Sequence, residues 1–119
     1  MEELGDRMDI VALTLKGSVN KTAIEKLVSR LTKALKMNKA HERVVYDYPV
    51  GGKGGTGFTH IQPITESFIA VDVWPELSGA YLVICSCKKI DMFIIYNLVA
   101  KLGYTIDDSF QKGLALRCS

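Results

Sequence analysis

The chain lacks several features that mark large classes of proteins. It has three cysteines, three prolines and one tryptophan in 119 residues, and its formal net charge is only +2. No apolar run is long enough to span a membrane, and no block of lysine and arginine is interleaved with aromatic residues as in nucleic-acid-binding domains. The first six residues are acidic, unlike the basic start of a secretory signal. We therefore expect a cytoplasmic protein whose partners include neither nucleic acid nor a membrane.

The few cysteines also argue against a disulfide scaffold and against a metal centre. An odd number of thiols in a chain without an export signal favours the reduced form. Cys85 and Cys87 lie two residues apart and share one face of a predicted strand. A structural zinc site would need further ligands, for which only Cys118, His41 and His60 are available. We expect no metal.

The length and the pattern of the sequence indicate a single domain of helices and strands over residues 1–119. The first helix begins after Asn20 or Thr22, and the second helix covers 92–102 and ends at Gly103. Short β-branched segments predict strands at 9–16, 42–48, 58–64, 68–74, 79–87, 104–110 and 113–118. This order predicts an α+β two-layer sandwich, with an antiparallel sheet and two helices on one face.

Two local features stand out against this pattern. Residues 49–57 contain five glycines around Lys53 and predict either a mobile surface loop or a lid over a pocket. Asp72 lies on a strand that is otherwise apolar on both faces. A buried carboxylate is costly unless it is paired, so Asp72 is either satisfied by backbone amides or a functional acid or base.

Four motifs occur at fixed spacing around the predicted hairpin. The dipeptide Glu66-Ser67 is followed by Trp74-Pro75-Glu76 and by Cys87, twenty residues after the serine, and Thr59 precedes it. This set resembles the prokaryotic S-adenosylmethionine decarboxylases, which have this chain length and this order of elements. In that family the dipeptide is a self-cleavage site, the cysteine is catalytic, and a serine at the position of Thr59 assists processing.

The resemblance implies that the chain is a proenzyme that cleaves itself into residues 1–66 and 67–119. Ser67 would become a pyruvoyl group, the only cofactor expected. That group would form a Schiff base with the amine of a small substrate and accept the electrons released when CO₂ departs. Cys87 would return a proton to the product carbon, and Glu76 would bind the ribose hydroxyls of S-adenosylmethionine. Family members are oligomeric, and the nearly all-apolar second helix agrees with a homodimer.

The chain departs from the family at two positions. Asp72 replaces a histidine that acts as the base during processing, so processing is either slow, absent or rerouted through a residue such as His60. Lys53 replaces a phenylalanine that stacks on adenine. The candidate aromatic substitutes are Tyr46, Tyr48 and Phe58.

These departures leave alternatives to S-adenosylmethionine open. A pocket with Asp47, Asp72 and Glu76 would suit the terminal cation of ornithine or arginine. A non-processing homologue that regulates a true decarboxylase is a third interpretation. For a decarboxylase we expect Ser67, Cys87 and Asp72 to act in catalysis. Glu66, Ser67, Thr59 and Asp72 would act in processing, and Glu76, Asp47 and Phe68 in substrate binding.

Overall fold

A computed structural model describes residues 7–48 and 57–116 of the chain. The glycine-rich segment, apart from Gly57, lies outside these residues, as do Lys53 and Cys118. The interpretations placed on them above therefore stay predictions.

Six strands form a single antiparallel sheet in the order β2-β3-β4-β5-β1-β6. The fold is the predicted α+β sandwich, and the fold class is confirmed. A short 3₁₀ turn, Pro75–Leu77, links β4 to β5. The elements are β1 Arg7–Lys16, α1 Lys21–Ala34, β2 Val44–Asp47, β3 Phe58–Ile64, β4 Ser67–Trp74, β5 Gly79–Ser86, α2 Met92–Lys101 and β6 Thr105–Ala115.

The core lies between one face of the sheet and the two helices. Alternate residues of the central strands point into it, among them Leu13, Val71 and Leu82, which are fully or almost fully buried. The helices contribute apolar stripes that contain Leu27 and Ile95, both completely buried. The opposite face of the sheet, which we call the open face, is left uncovered by the described residues. It carries Phe68, Ala70, Asp72 and Trp74 of β4 and Tyr81, Val83 and Cys85 of β5.

Both helices begin at side-chain caps that satisfy their first amides. The Asn20 side chain accepts a hydrogen bond of 2.8 Å from the amide of Ala23, so Asn20, and not Thr22, is the N-cap of α1. Asp91 caps α2 by accepting from the amide of Phe93 at 2.9 Å. Gly103 follows α2 with a φ of +89°, as predicted for the residue that ends this helix.

The prediction of two short strands at the end of the chain was wrong. β6 is one strand of 11 residues that pairs with β1 from Arg7 to Lys16, with one register shift between Thr14 and Leu15. Gly113 starts no new strand. The side chain of Arg7 lies over it, with Nη2 2.9 Å from the position that a Cβ would occupy.

Among residues 7–48 and 57–116, no helix is long and apolar enough to cross a membrane.

The two faces of α2 predict a large contrast in stability between two substitutions. Ile95→Ala removes a fully buried side chain, so it should lower the free energy of unfolding by about 2–5 kcal/mol. Phe93→Ala on the same helix changes a side chain that is 77% exposed and should cost less than about 1 kcal/mol. Urea unfolding of both variants measures the difference. Equal losses would mean that Phe93 is covered in solution, for example by a second chain.

Candidate active site

The turn between β3 and β4 holds the predicted cleavage dipeptide. Ser67 is the first residue of β4, pairs with Ile64 and Ser86 on its two neighbours, and is half-buried. Its φ of 158° is close to extended backbone. The main chain places the carbonyl of Glu66 directly beside the serine hydroxyl, since the two groups belong to adjacent residues.

A backbone amide just after the end of β5 is directed at that carbonyl. The amide of Cys87 donates a hydrogen bond of 3.0 Å to the carbonyl oxygen of Glu66. An N–H in this position polarises the carbonyl and stabilises negative charge that develops on its oxygen during attack. The thiol of Cys87 is half-buried, and Cys85 lies two residues before it on the open face. Glu66, Ser67 and Cys87 therefore form one group, which we call the turn cluster.

The side chain of Glu66 anchors this turn rather than facing solvent. It is 5% exposed, and its Oε1 accepts the amide of Asn38 at 3.2 Å. Lys88 Nζ lies 3.6 Å from Oε2. Burial alone raises the pKa of Glu66, but hydrogen bonds from the Asn38 and Glu66 amides and from Thr65, with the charge of Lys88, outweigh it and lower the pKa.

A second group of polar side chains lies on the open face around Asp72. Oδ1 of Asp72 accepts hydrogen bonds from the hydroxyls of Tyr48 and Thr59, the latter at 2.9 Å. Oδ2 accepts from Nε1 of Trp74 at 3.0 Å. Side chains, not the backbone amides considered above, therefore satisfy this half-buried carboxylate. We call Tyr48, Thr59, Asp72 and Trp74 the strand cluster.

Within one chain, the turn cluster and the strand cluster lie far apart. Asp72 follows Ser67 by five residues of the same strand, a separation of roughly 17 Å at the rise of a β-strand. Thr59 is directly opposite Asp72 on β3, at the same distance from the turn. The separation of Ser67 and Asp72 could have been predicted from the sequence, because the predicted strand already places them five residues apart. The resemblance assigns both residues to one site, and their positions on β4 keep them apart within one chain.

The other predicted substrate-binding residues are dispersed. Phe68 is next to the turn cluster on the open face and is 37% exposed. Glu76 is exposed in the 3₁₀ turn that follows Trp74. Asp47 pairs with Phe58, whose side chain points into the core, and forms an ion pair of 2.7 Å with Lys21. Asp47 therefore lies on the opposite face of the sheet from Asp72, and one chain does not assemble the carboxylate pocket expected for a basic amino acid.

Two other candidates also lie on the helix-covered face. Phe58 is 4% exposed, so it is not available to stack on an adenine at the open face. His60, the alternative processing base, is 2% exposed and lines a cavity of about 530 Å³ beside Gln62. The ion pair of Arg43 with Glu25 lies at this cavity. Burial, then the charge of Arg43, lowers the pKa of His60. Because the sheet separates its ring from Asp72, His60 does not replace the missing histidine there.

The sequence interpretation missed Tyr48 and Trp74 as partners of Asp72. A signal for Tyr48 existed, because Tyr46 pairs with Thr59 across β2 and β3 and every second residue of a strand shares a face. Using this signal requires the register between β2 and β3, which only the folded chain shows. In the described part of the chain, no group of three His, Cys, Asp or Glu side chains is arranged to hold a metal ion.

Comparisons with known proteins place this arrangement in a family. The model of the family described as S-adenosylmethionine decarboxylase matches residues 9–103. The chain belongs to the S-adenosylmethionine decarboxylase family. The resemblance drawn from its motifs is thereby confirmed, and the match covers the residues of both clusters.

A solved structure has the same fold as this S-adenosylmethionine decarboxylase family member. The crystal structure of the adenosylmethionine decarboxylase from Aquifex aeolicus VF5 superimposes with a TM-score of 0.64 at 16% sequence identity. The match covers 92% of this chain and 88% of the Aquifex chain. No curated protein matches the chain. At this identity the structural likeness concerns the fold.

The lowered pKa of Glu66 predicts that the contribution of this side chain to stability depends on pH. A carboxyl group with a depressed folded-state pKa stabilises the fold above its unfolded value, near 4.5, and loses that contribution as the pH falls through the folded value. In a Ser67→Ala background, Glu66→Gln should therefore be less stable than its parent at pH 7. The difference should shrink below about pH 4.5. Urea unfolding at both pH values measures it, and a difference independent of pH would contradict the charge-based account.

Proposed function

We propose that the chain is a self-cleaving, pyruvoyl-dependent decarboxylase of polyamine biosynthesis that acts on S-adenosylmethionine. The observation that carries the proposal is the turn cluster. It combines a serine hydroxyl, the carbonyl of the preceding residue and the Cys87 amide directed at that carbonyl, at one end of the sheet. The family supports decarboxylation, and this local geometry supports its activation by cleavage at Ser67.

Self-cleavage would proceed through groups that the turn already holds. Oγ of Ser67 attacks the carbonyl carbon of Glu66 and loses its proton to a base, and the Cys87 amide stabilises the oxyanion. Collapse breaks the peptide C–N bond, protonates the amine and leaves an ester. Elimination then removes the α-proton of residue 67 and releases the Glu66 carboxylate. The resulting dehydroalanine takes up water and loses ammonia, which leaves a pyruvoyl group on residues 67–119.

The residues around Ser67 fit a pyruvoyl group at this position. When formed, the group supplies an electron sink for decarboxylation. Cys87 would hold a proton at its thiol, next to the reacting carbon, and donate it to the product. Phe68 would cover one side of the substrate with its exposed ring, and Glu76 would accept hydrogen bonds from ribose hydroxyls. No metal is needed for this role.

The distance between the two clusters favours a site shared by two copies of the chain. If Asp72 and Thr59 act on Ser67, they must come from another molecule, because their own strand holds them roughly 17 Å away. The open face carries the strand cluster, exposed Phe68, Trp74 and Tyr81, and Cys85, two residues before Cys87 of the turn cluster. Two copies packed through this face about a twofold axis would place the strand cluster of each chain opposite the turn cluster of the other, which gives two equivalent sites. We therefore propose a homodimer in cytoplasmic solution as the active form.

The structure does not favour ornithine or arginine as the substrate. Of the three carboxylates that would bind the terminal cation, Asp47 is on the other face and is paired with Lys21. Asp72 already accepts three hydrogen bonds. Only Glu76 is exposed without a partner among the described side chains. S-adenosylmethionine therefore remains the preferred substrate.

Intact mass spectrometry of the purified protein tests self-cleavage. We expect two fragments that break between Glu66 and Ser67, with a pyruvoyl group at the start of the second fragment. Ser67→Ala should stay whole. A wild-type chain that stays whole after long incubation would exclude the enzyme and favour the regulatory homologue. Once cleavage is seen, inhibition of CO₂ release by an adenosyl analogue separates S-adenosylmethionine from basic amino acids as the substrate.

A mixing experiment tests the shared site. Ser67→Ala lacks the nucleophile and Asp72→Asn lacks the carboxylate, so neither chain alone should mature at the wild-type rate. When the two are unfolded and refolded together, mixed dimers contain one complete pair of clusters. We expect the Asp72→Asn chain to be cleaved and the Ser67→Ala chain to stay whole, as resolved by mass. If Asp72→Asn gains nothing from the mixture, the clusters do not cooperate between chains.

A further inference from the structure

The strand cluster contains a tyrosine, Tyr48, to which the cleavage chemistry assigns no role. The hydroxyl of Tyr48 donates to Oδ1 of Asp72 and lies 2.9 Å from the hydroxyl oxygen of Thr59. Thr59 donates to the same carboxylate oxygen at 2.9 Å. Three side-chain oxygen atoms, from the residue after β2, from β3 and from β4, are therefore in mutual contact on the open face.

The hydroxyl protons of Tyr48 and Thr59 determine how these oxygen atoms are oriented towards one another. Tyr48 and Thr59 each have one hydroxyl proton, and an ionised Asp72 has none. The proton of Tyr48 is directed to Asp72. The proton of Thr59 is directed to Asp72 or to the oxygen of Tyr48. Because both protons point inward, the Thr59 oxygen keeps a lone pair for a donor that approaches from outside.

The remaining contacts hold the carboxylate from its other side. Nε1 of Trp74 donates to Oδ2, so each carboxylate oxygen has its own donors and the group is prevented from rotating. The ring of Trp74 packs edge-on against Tyr81, with 6.4 Å between ring centroids. The ring of Tyr48 is similarly held by Tyr46, at 6.1 Å and an interplanar angle of 69°. The hydrogen bond to Asp72, the largest cause, raises the pKa of Tyr48, which therefore remains a donor at neutral pH.

We propose that Tyr48 is a positioning residue that joins Thr59 and Asp72 into one proton-accepting unit of the active site. This inference rests on the proposed function, in which the strand cluster of one copy faces Ser67 of the other. The unit takes the proton of the serine hydroxyl on the Thr59 oxygen while the proton of Thr59 passes to Oδ1 of Asp72. Tyr48 does not exchange a proton in this step. It fixes Oδ1 beside Thr59.

The first measurement compares the rate of self-cleavage in two tyrosine variants across pH. Tyr48→Phe keeps the ring and its contact with Tyr46, so the fold should persist. It should slow cleavage roughly ten- to hundredfold, the range for losing a hydrogen bond to a charged group. The pH profile of the rate should also change, because the proton-accepting unit loses one of its hydrogen-bond donors. A merely structural role would lower the rate without moving the profile.

The matched control is Tyr96→Phe, which removes a tyrosine hydroxyl on α2 that contacts Ser109 at 3.0 Å. It should leave both the rate and the profile unchanged. The second measurement is the emission of Trp74, the single tryptophan of the chain, in a Ser67→Ala background that does not cleave. Tyr48→Phe should shift this emission because Trp74 shares Asp72 with Tyr48, and Tyr96→Phe should not.

The two measurements separate the failure of this inference from that of the proposed function. If the wild type cleaves and Tyr48→Phe cleaves with the same rate and profile, Tyr48 positions nothing and the inference is overturned. If the wild type does not cleave, the proposed function fails. Trp74 emission then decides about Tyr48: a shift supports its role in ordering the cluster, and unchanged emission overturns it.

Discussion

The register of the hairpin formed by β3 and β4 is the constraint on which the rest of this molecule depends. Pairing Thr59 with Asp72 and Ile64 with Ser67 leaves Glu66 in the turn and points Phe58, Ile69 and Val71 into the core. A shift of one residue would move every side chain of a strand to the other face. It would bury Asp72 beneath the helices and expose the apolar residues, so the energy of the core enforces the geometry of the site.

Three carboxylates on neighbouring segments show how position, rather than residue type, determines what a group can do. Glu66 is buried and held by backbone amides and by Lys88, and its side chain serves the turn. Asp47 is exposed and paired with Lys21, and such surface pairs contribute about 0–1 kcal/mol at most. Asp72 is half-buried and bonded only to side chains on the open face. Of the three, Asp72 alone combines partial burial with access to an incoming molecule.

Much of the fold could be predicted because its signals are local. The bounds of β3, the first turn of each helix and the end of α2 follow from short patterns of apolar, capping and glycine residues. The continuous β6 could not be predicted, because Gly113 in an isolated sequence signals an interruption and only its pairing with Asp9 of β1 shows that the strand continues. Motif spacing identified Ser67, Cys87, Thr59 and Asp72 as candidates for one site. Motif spacing could not show that Asp47 lies on the opposite face of the sheet from Asp72, or that Tyr48 contacts Asp72. Both facts depend on how β2 pairs with β3, and the glycine-rich sequence between these strands gives no pattern from which that register could be predicted.

The position of β2 has a consequence for how the molecule responds to heat. This strand is four residues long, lies at the edge of the sheet and has no buried side chain. Segments of this kind open at a lower free energy than the global transition, because few apolar contacts hold them. Tyr48 follows directly after β2 and is held against Gly57 by one backbone hydrogen bond of 3.0 Å. Fraying of this edge would disperse the strand cluster while the core stays folded, so the thermal limit of maturation would lie below the melting temperature of the protein.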